Sequence, residues 1–302
     1  MSIVVFGSVN MDLVARASRL PNVGETVLGD TFETVPGGKG ANQAVTCGRL
    51  GAPVAFVGRV GRDAFGDTLL QSLATANVDI GSVTPTLGSS GVALIEVDEH
   101  GQNRIVVVPG ANGEVGADDL ARLKARLKPG DLLLLQLEIP LDVVVAAAGI
   151  AKEQGALVML DPAPAPTDLP SALWSLVDFL TPNETETRLL SGVDASTLDG
   201  ALQAARNLLA RGPKSVVVKR GDRGALYVDE RGVLPVDPFD VESVDTVGAG
   251  DAFNGGFAAA LAEGRSLPEA LRFASATAAL SVTKRGAQDA LPTRSQVEVL
   301  LG

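Results

Sequence analysis

The sequence predicts an α/β fold, with a mostly parallel central sheet covered by helices on both faces and a small β-sheet lid. Three observations predict it. Short aliphatic runs alternate with amphipathic segments of helical length, the runs are continuously apolar as in doubly buried strands, and two segments break this alternation in the manner of antiparallel hairpins. The 302 residues suffice for one large domain with a substantial core.

In chain order, the runs at 3–9, 54–60, 132–137, 157–161, 179–181 and 215–219 are expected as strands. Helices are expected at about 40–50, 64–76, 118–128, 142–154 and 198–211. Residues 12–36, turning near Pro21-Asn22-Val23-Gly24, and residues 91–108, turning through Asp98–Gln102, read as the two hairpins. Paired into one small sheet over the mouth of the main domain, they would form the lid. From Gly248 onward the chain reads as helical, in segments 248–264 and 267–284. No low-complexity linker, charge block or repeat marks a boundary, so residues 1–302 are expected as one domain.

Composition excludes several functions. A net charge of −11 argues against a surface that holds nucleic acid or acidic lipid, so an anionic ligand must be held by local geometry. One cysteine, Cys47, rules out an intramolecular disulfide and a cysteine-rich zinc site. One histidine, His100, in a predicted hairpin turn, removes most histidine-based chemistry. The longest apolar stretch, 132–151, contains Gln136, Glu138, Pro140 and Asp142, so it reads as strand, turn and helix and not as a membrane span. The chain opens without a basic export signal, and a cytoplasmic setting is expected.

The segment Asp245-Thr246-Val247-Gly248-Ala249-Gly250-Asp251 carries the most chemistry. Small residues at Gly248, Ala249 and Gly250 let a ligand approach the backbone, and a helix starting there would aim free N–H groups at a phosphate. Asp251, in the first turn, is placed to take a proton from a hydroxyl facing that phosphate. The same residues would also make a plain tight turn with Asp251 as a helix-start residue. A second segment, Pro36-Gly37-Gly38-Lys39-Gly40-Ala41-Asn42-Gln43, puts a cation and an amide beside exposed backbone ahead of a helix, which suits a polyhydroxylated ligand or a phosphate. A flexible turn with a solvated lysine is the bland alternative. Neither segment is a Walker loop, and the turn Phe6-Gly7-Ser8-Val9-Asn10 is not a dinucleotide fingerprint.

Together, GGKGANQAV at 37–45 and DTVGAGDAFNGGF at 245–257, in this order and about 200 residues apart, resemble the two diagnostic motifs of the ribokinase family of sugar and nucleoside kinases. GSVNMD at 7–12, GET at 24–26, VPGAN at 108–112, TPNETE at 181–186, KRGDRG at 219–224 and KRGAQ at 284–288 also match, so the resemblance covers nearly the whole chain. It implies a three-layer α/β/α ribokinase-like domain and an ATP-dependent sugar kinase. Asp251 would be the base, and the amides of Gly248, Ala249 and Gly250 the anion hole. Asn10, Asp12, Gly38, Lys39, Asn42 and Glu138 would bind the sugar, with Met11, Gly40 and Ala41 inside the same runs.

For ATP the resemblance implies Asn183, the turn Lys219, Arg220, Gly221, Asp222, Arg223 and Gly224, together with Gly250 and the helix around Ser275; Glu186 would meet Mg²⁺ and phosphate through water. Read as residues alone, Asn183 and Glu186 could equally form a reciprocal helix cap, Asn10 and Asp12 a turn cap, and Glu138 a solvated loop carboxylate. The carboxylates of Asp63, Asp161 and Asp222 are read as structural or peripheral. The resemblance further implies a K⁺ site of Asp245 with the carbonyls of Val247, Ser281, Lys284 and Gly286, completed at position 290, where the family often carries a serine-like hydroxyl and this chain has Ala290. It implies a homodimer through the lids. Gly-Gly-Lys-Gly-Ala-Asn-Gln with Asn10-x-Asp12 is the form that points to D-ribose; deoxyribose, fructose and a non-catalytic sugar or nucleotide sensor stay open.

Overall fold

The structure, a computed structural model, describes residues 1–302. Its main sheet begins at β1 (Ile3–Phe6), which pairs in parallel with β4 (Val54–Gly61) on one side and β8 (Leu132–Leu135) on the other. β5 (Asp79–Thr86) extends it past β4. β9 (Leu157–Leu160), β10 (Phe179–Leu180) and β11 (Ser215–Lys219) extend it in parallel past β8, and β12 (Ala225–Asp229) and β13 (Gly232–Val236) close that edge antiparallel. Nine strands result, mostly parallel, as the aliphatic runs require. Strands β5, β12 and β13 lie outside the runs that the sequence marks. Asp79, Gly81 and Pro85 dilute β5, and Pro235 sits in an edge strand, where its missing N–H removes no ladder bond.

Successive side chains along β1 and β8 feed opposite faces, which splits the core in two. Ile3, Val5, Leu132 and Leu134 pack under α1 (Lys39–Arg49), α2 (Ala64–Thr75), α8 (Ala249–Ala262), α9 (Leu267–Ser281) and α10 (Arg294–Leu301). Val4, Phe6, Leu133 and Leu135 pack under α3 (Ala117–Arg126), α4 (Leu141–Glu153), α5 (Ser171–Trp174), α6 (Glu184–Ser191) and α7 (Leu198–Leu209). The helices expected from periodicity agree to within about two residues at their starts and three at their ends. Three short helices, α5, α6 and α10, have too few turns for a periodic signal. No helix is long and apolar enough to cross a membrane.

The second sheet has four strands, in the order β3 (Gly29–Gly37), β2 (Asn10–Ala17), β6 (Gly91–Val97), β7 (Asn103–Val108). The two hairpins are joined by a parallel pairing in which Asn10 faces Gly91 and Arg16 faces Val97. The second hairpin turns at Asp98, whose N–H donates to the Gln102 carbonyl and whose carboxylate accepts from the His100 and Gln102 amides. Phe32, Leu94, Ile105, Val106, Val107 and Val108 leave apolar side chains of this sheet in solvent.

Candidate active site

Parallel strands deliver their C-terminal ends to one edge of the sheet, where ligands bind in open α/β folds. Ser8 follows β1, Glu138 follows β8, Asp161 follows β9, Asn183 follows β10, and Lys219 ends β11. Helices α1 and α8 begin at the same edge. They pack closely because Gly255 lies against Thr46, where an added Cβ would come within 2.5 Å of the Thr46 Cβ. That approach brings the α1 amides onto the carboxylate of α8. Asn42 Nδ2 donates to one Asp251 oxygen at 2.9 Å and Gln43 Nε2 to the other at 3.1 Å.

A cavity of about 660 Å³ opens beside Asp251. Lys39, Asp161, Asn183, Glu186, Lys219, Gly221, Asp222, Gly224, Ser275 and the turn Gly248–Asp251 line its polar part, and Phe239, Val241, Phe253 and Val282 its apolar part. α8 starts at Gly248, held at φ 77°, which a side chain would strain. The amides of Gly248, Gly250 and Asp251 donate to no backbone acceptor, whereas that of Ala249 makes a long bond of 3.3 Å to the Thr246 carbonyl. The Asp251 amide thus joins the set predicted at 248–250. A helix N-terminus with free donors beside two lysines attracts anions, a need the overall charge had already placed on local geometry.

The electrostatics are crowded. Burial pushes the Asp251 carboxyl up to about 6; Lys39 opposes that shift, Asp161 adds to it, and the Asn42 and Gln43 donors oppose it. Burial likewise raises Asp12 to about 7, with Glu138 and Asp251 adding and Lys39 opposing. For Lys39, burial works against the charge, but Asp251, Glu138, Asp161 and Glu186 outweigh it and hold the ammonium above its ordinary range. Burial also raises Glu186, countered by Lys219.

These shifts carry a stability cost. The folded pKa of Asp12 lies above its unfolded value, so the penalty is absent below about pH 4 and fully present above about pH 7. Asp12→Asn is therefore expected to stabilise the fold by about 1–3 kcal/mol at pH 8 and by nothing measurable near pH 4. Urea denaturation at the two pH values checks it; equal stability of the two proteins at pH 8 would contradict it.

Several predicted residues fall differently from expectation. Arg220 and Arg223 do not line the cavity; both turn toward Glu184, which Arg223 Nη2 grips through both carboxylate oxygens at 2.6 and 2.7 Å. Asp161 is not peripheral. It is buried on the cavity wall, pairs with Lys219 Nζ at 3.0 Å and accepts from Gln43 at 3.1 Å. Glu138 is not a solvated loop carboxylate but accepts from Ser8 Oγ at 2.5 Å and the Lys39 amide at 3.0 Å. Asn183 and Glu186 do form the reciprocal cap of α6, at 2.9 and 2.7 Å, and both still face the cavity.

Met11 and Ala41 are buried in the core, which leaves only their backbone for a ligand. Asn10 is buried and accepts from Asn112 Nδ2 at 2.7 Å. Gly37 leaves room for the Asp12 carboxylate and Gly40 for the Ser8 backbone. Asp63 caps α2 and holds Ser90, a structural role. In the sequence, Ser8, Gln43 and Gln136 carry no assigned role and Asp161 reads as structural or peripheral. For Asp161 a signal existed, a carboxylate immediately after a buried parallel strand.

Residues fit for cations are also present. No group of three or more His, Cys, Asp or Glu side chains is arranged to hold a metal, and Glu186 is one of four carboxylates on the cavity wall, with Asp161, Asp222 and Asp251. Asp245 ties two loops together, accepting from the Val247 amide and from the Gly286 amide, each at 3.0 Å. The carbonyls of Val247, Ser281, Lys284 and Gly286 accept no backbone hydrogen bond, which leaves them available to a hard cation. Ala290 is buried and offers only a methyl group.

The sequence pattern of the pfkB family carbohydrate kinases matches residues 1–294. Ribokinase of Haemophilus influenzae is 41% identical over 297 residues, covering 98% of this chain and 96% of that protein. Deoxyribokinase of Salmonella typhi is 37% identical over 297 residues, covering 98% and 97%. Arabidopsis thaliana ribokinase, solved with ribose and ATP, superposes with a TM-score of 0.91 at 36% identity, covering 99% of this chain and 98% of that one.

Proposed function

The chain belongs to the pfkB family of carbohydrate kinases, and from that membership we propose that it phosphorylates D-ribose with ATP, giving D-ribose 5-phosphate and ADP. The observation that supports this most is the placement of Asp251. Its carboxylate is buried in the first turn of a helix whose free amides face the cavity, and the similar Arabidopsis protein was solved with both ribose and ATP.

The chemistry follows from that placement. ATP lies along the cavity with its phosphates toward the start of α8 and its base between the 219–224 turn and Ser275. The sugar lies between Asp12, Asn42, Glu138 and Asp251. Asp251 takes the proton of the attacking hydroxyl as its oxygen bonds to the γ-phosphorus, and the bond from that phosphorus to the β-phosphate oxygen breaks. ADP leaves with the electron pair. Protein groups contribute mostly position and charge in such transfers: Lys39, Lys219 and the amides of Gly248, Gly250 and Asp251 face charge that spreads over the phosphoryl oxygens. Mg²⁺ brought in with ATP would offset phosphate charge, and Glu186, on the cavity wall, would hold it through water.

ADP release measured with ribose, 2-deoxyribose and fructose tests this reading. Turnover that appears only on adding a sugar, with the highest kcat/KM for ribose, is expected; sugar binding without turnover would replace the kinase with a sensor. The 37% identity to a deoxyribokinase makes 2-deoxyribose the second reading.

Two finer expectations accompany it. KCl should stimulate the enzyme through Asp245 and its neighbouring carbonyls. Ala290 leaves one position to water or backbone, so half-saturation should be weak and should improve in Ala290→Ser. The assay is kcat/KM for ribose against KCl at constant ionic strength; a flat response in both proteins removes the ion from the mechanism. The small sheet should act as a lid and pair with its counterpart in a homodimer that covers its exposed apolar side chains. Light scattering that finds a monomer at micromolar concentration would contradict that.

A further inference from the structure

A chain of buried amides stands behind Asp251. Gln43 Nε2 carries two N–H groups and gives one to Asp251 Oδ1 at 3.1 Å and the other to Asp161 Oδ2 at 3.1 Å. Its Oε1 accepts from Gln136 Nε2 at 2.7 Å. Gln43 and Gln136 are essentially inaccessible to solvent, and the Gln136 amide finds room because Gly7 has no side chain. The arrangement has one orientation. Flipping the Gln43 amide would aim its oxygen at two carboxylates and its NH₂ at the Gln136 donor, leaving buried groups of like polarity face to face.

We propose that Gln43, locked by Gln136, is a positioning residue that clamps the Asp251 carboxylate to Asp161 and so fixes its aim at the attacking hydroxyl. The proposal rests on the kinase reading above for the identity of the hydroxyl, but not for the clamp. Asp251 is attached to a helix start and would otherwise be held only by Asn42. The second attachment, to a residue at the end of β9, ties it to the central sheet. The clamp also joins two carboxylates that would repel without a shared donor, with Lys219 on the far oxygen of Asp161 at 3.0 Å. The charged groups that share this space are Lys39 from α1, Asp12 from β2, Glu138 after β8, Asp161 after β9, Glu186 from α6 and Lys219 from β11.

Two isosteric changes separate the clamp from simple packing. Gln43→Met removes both donors, which destabilises the charged carboxylate, so the Asp251 carboxyl should titrate at a higher pH. Asp161→Asn removes a neighbouring negative charge, so the same carboxyl should titrate at a lower pH. Carbon-13 NMR of the Asp251 carboxyl reads both shifts and needs no turnover. In the kinase assay Gln43→Met should lose about 10–100-fold in kcat, with KM for sugar and ATP changed less than about threefold. A Gln43→Met protein that melts lower but keeps the wild-type titration and kcat would overturn the clamp and leave a packing role. If Gln43→Met does not fold, Gln136→Met, which removes the donor that locks Gln43 and leaves both carboxylates in place, decides instead, and an unmoved Asp251 titration overturns the proposal. Absence of sugar-dependent turnover in the wild type would defeat the kinase reading, while the NMR shifts would still decide the clamp.

Discussion

Asp251→Asn is expected to reduce kcat by about 10²–10⁴-fold, the usual cost of losing a positioned base. Sugar and ATP affinities should stay within about threefold, because the substitution keeps the size and polarity of the side chain. It exchanges one acceptor for an NH₂ group, which then faces a donor from Asn42 or Gln43. Asn42 can turn its oxygen toward the new amide, at the expense of its contact with Gln288 Nε2 at 3.2 Å. The folded state should nonetheless tolerate the change, because it removes a charge whose burial the structure resists. Steady-state kinetics with calorimetric binding checks both halves. A variant retaining more than half of the wild-type kcat would remove Asp251 from its role.

Lys39→Met is expected to have the next largest effect, about 10²–10³-fold in kcat/KM. Lys39 is the ammonium set among Asp251, Glu138, Asp161 and Glu186, and it faces the cavity where phosphate would lie. Its loss leaves Asp161 and Glu186 to Lys219 alone, takes the ammonium away from Asp251 and Glu138 in a buried space, and withdraws a cation from the transition state. The direction with pH follows from the charges. Lys39 is the largest influence holding Asp251 down, so without it Asp251 takes up its proton at higher pH. The acid limb of kcat/KM should therefore move upward from about 6, and the variant should recover part of its lost activity in alkaline buffer. A uniform loss at every pH, with the limb unmoved, would show that Lys39 acts on phosphate alone.

Much of this was legible in the sequence, for identifiable reasons. Doubly buried parallel strands must be continuously apolar, so Ile3–Phe6, Leu132–Leu135 and Leu157–Leu160 announced themselves. β12 and β13, at the edge, needed no such run, and β5 carries proline and glycine. The start of α8 was readable because few residue patterns let a ligand approach a helix N-terminus so closely. Pairwise matters were not readable. Arg220 and Arg223 sit in a motif that touches the cavity, yet their side chains turn to Glu184, a choice fixed by the direction of each side chain and not by its presence in the run. Gln43 lies inside the quoted glycine-lysine motif without an assigned role, since its partners Asp161 and Gln136 are 118 and 93 residues away. Asp161 was set aside for the same reason: a single carboxylate after a strand says nothing of Lys219 until the sheet brings them together.

The central claim is that a hydroxyl loses its proton to Asp251 as phosphoryl transfer proceeds. Single-turnover phosphorylation of ribose by wild type and by Asp251→Asn, followed by rapid quench between pH 5 and 8 at saturating ribose and ATP, tests it most directly. The account predicts that the wild-type rate climbs as Asp251 ionises near pH 6 and that the small residual rate of Asp251→Asn lacks this limb. The same limb in both proteins, or a single-turnover rate in Asp251→Asn close to that of wild type, would contradict it.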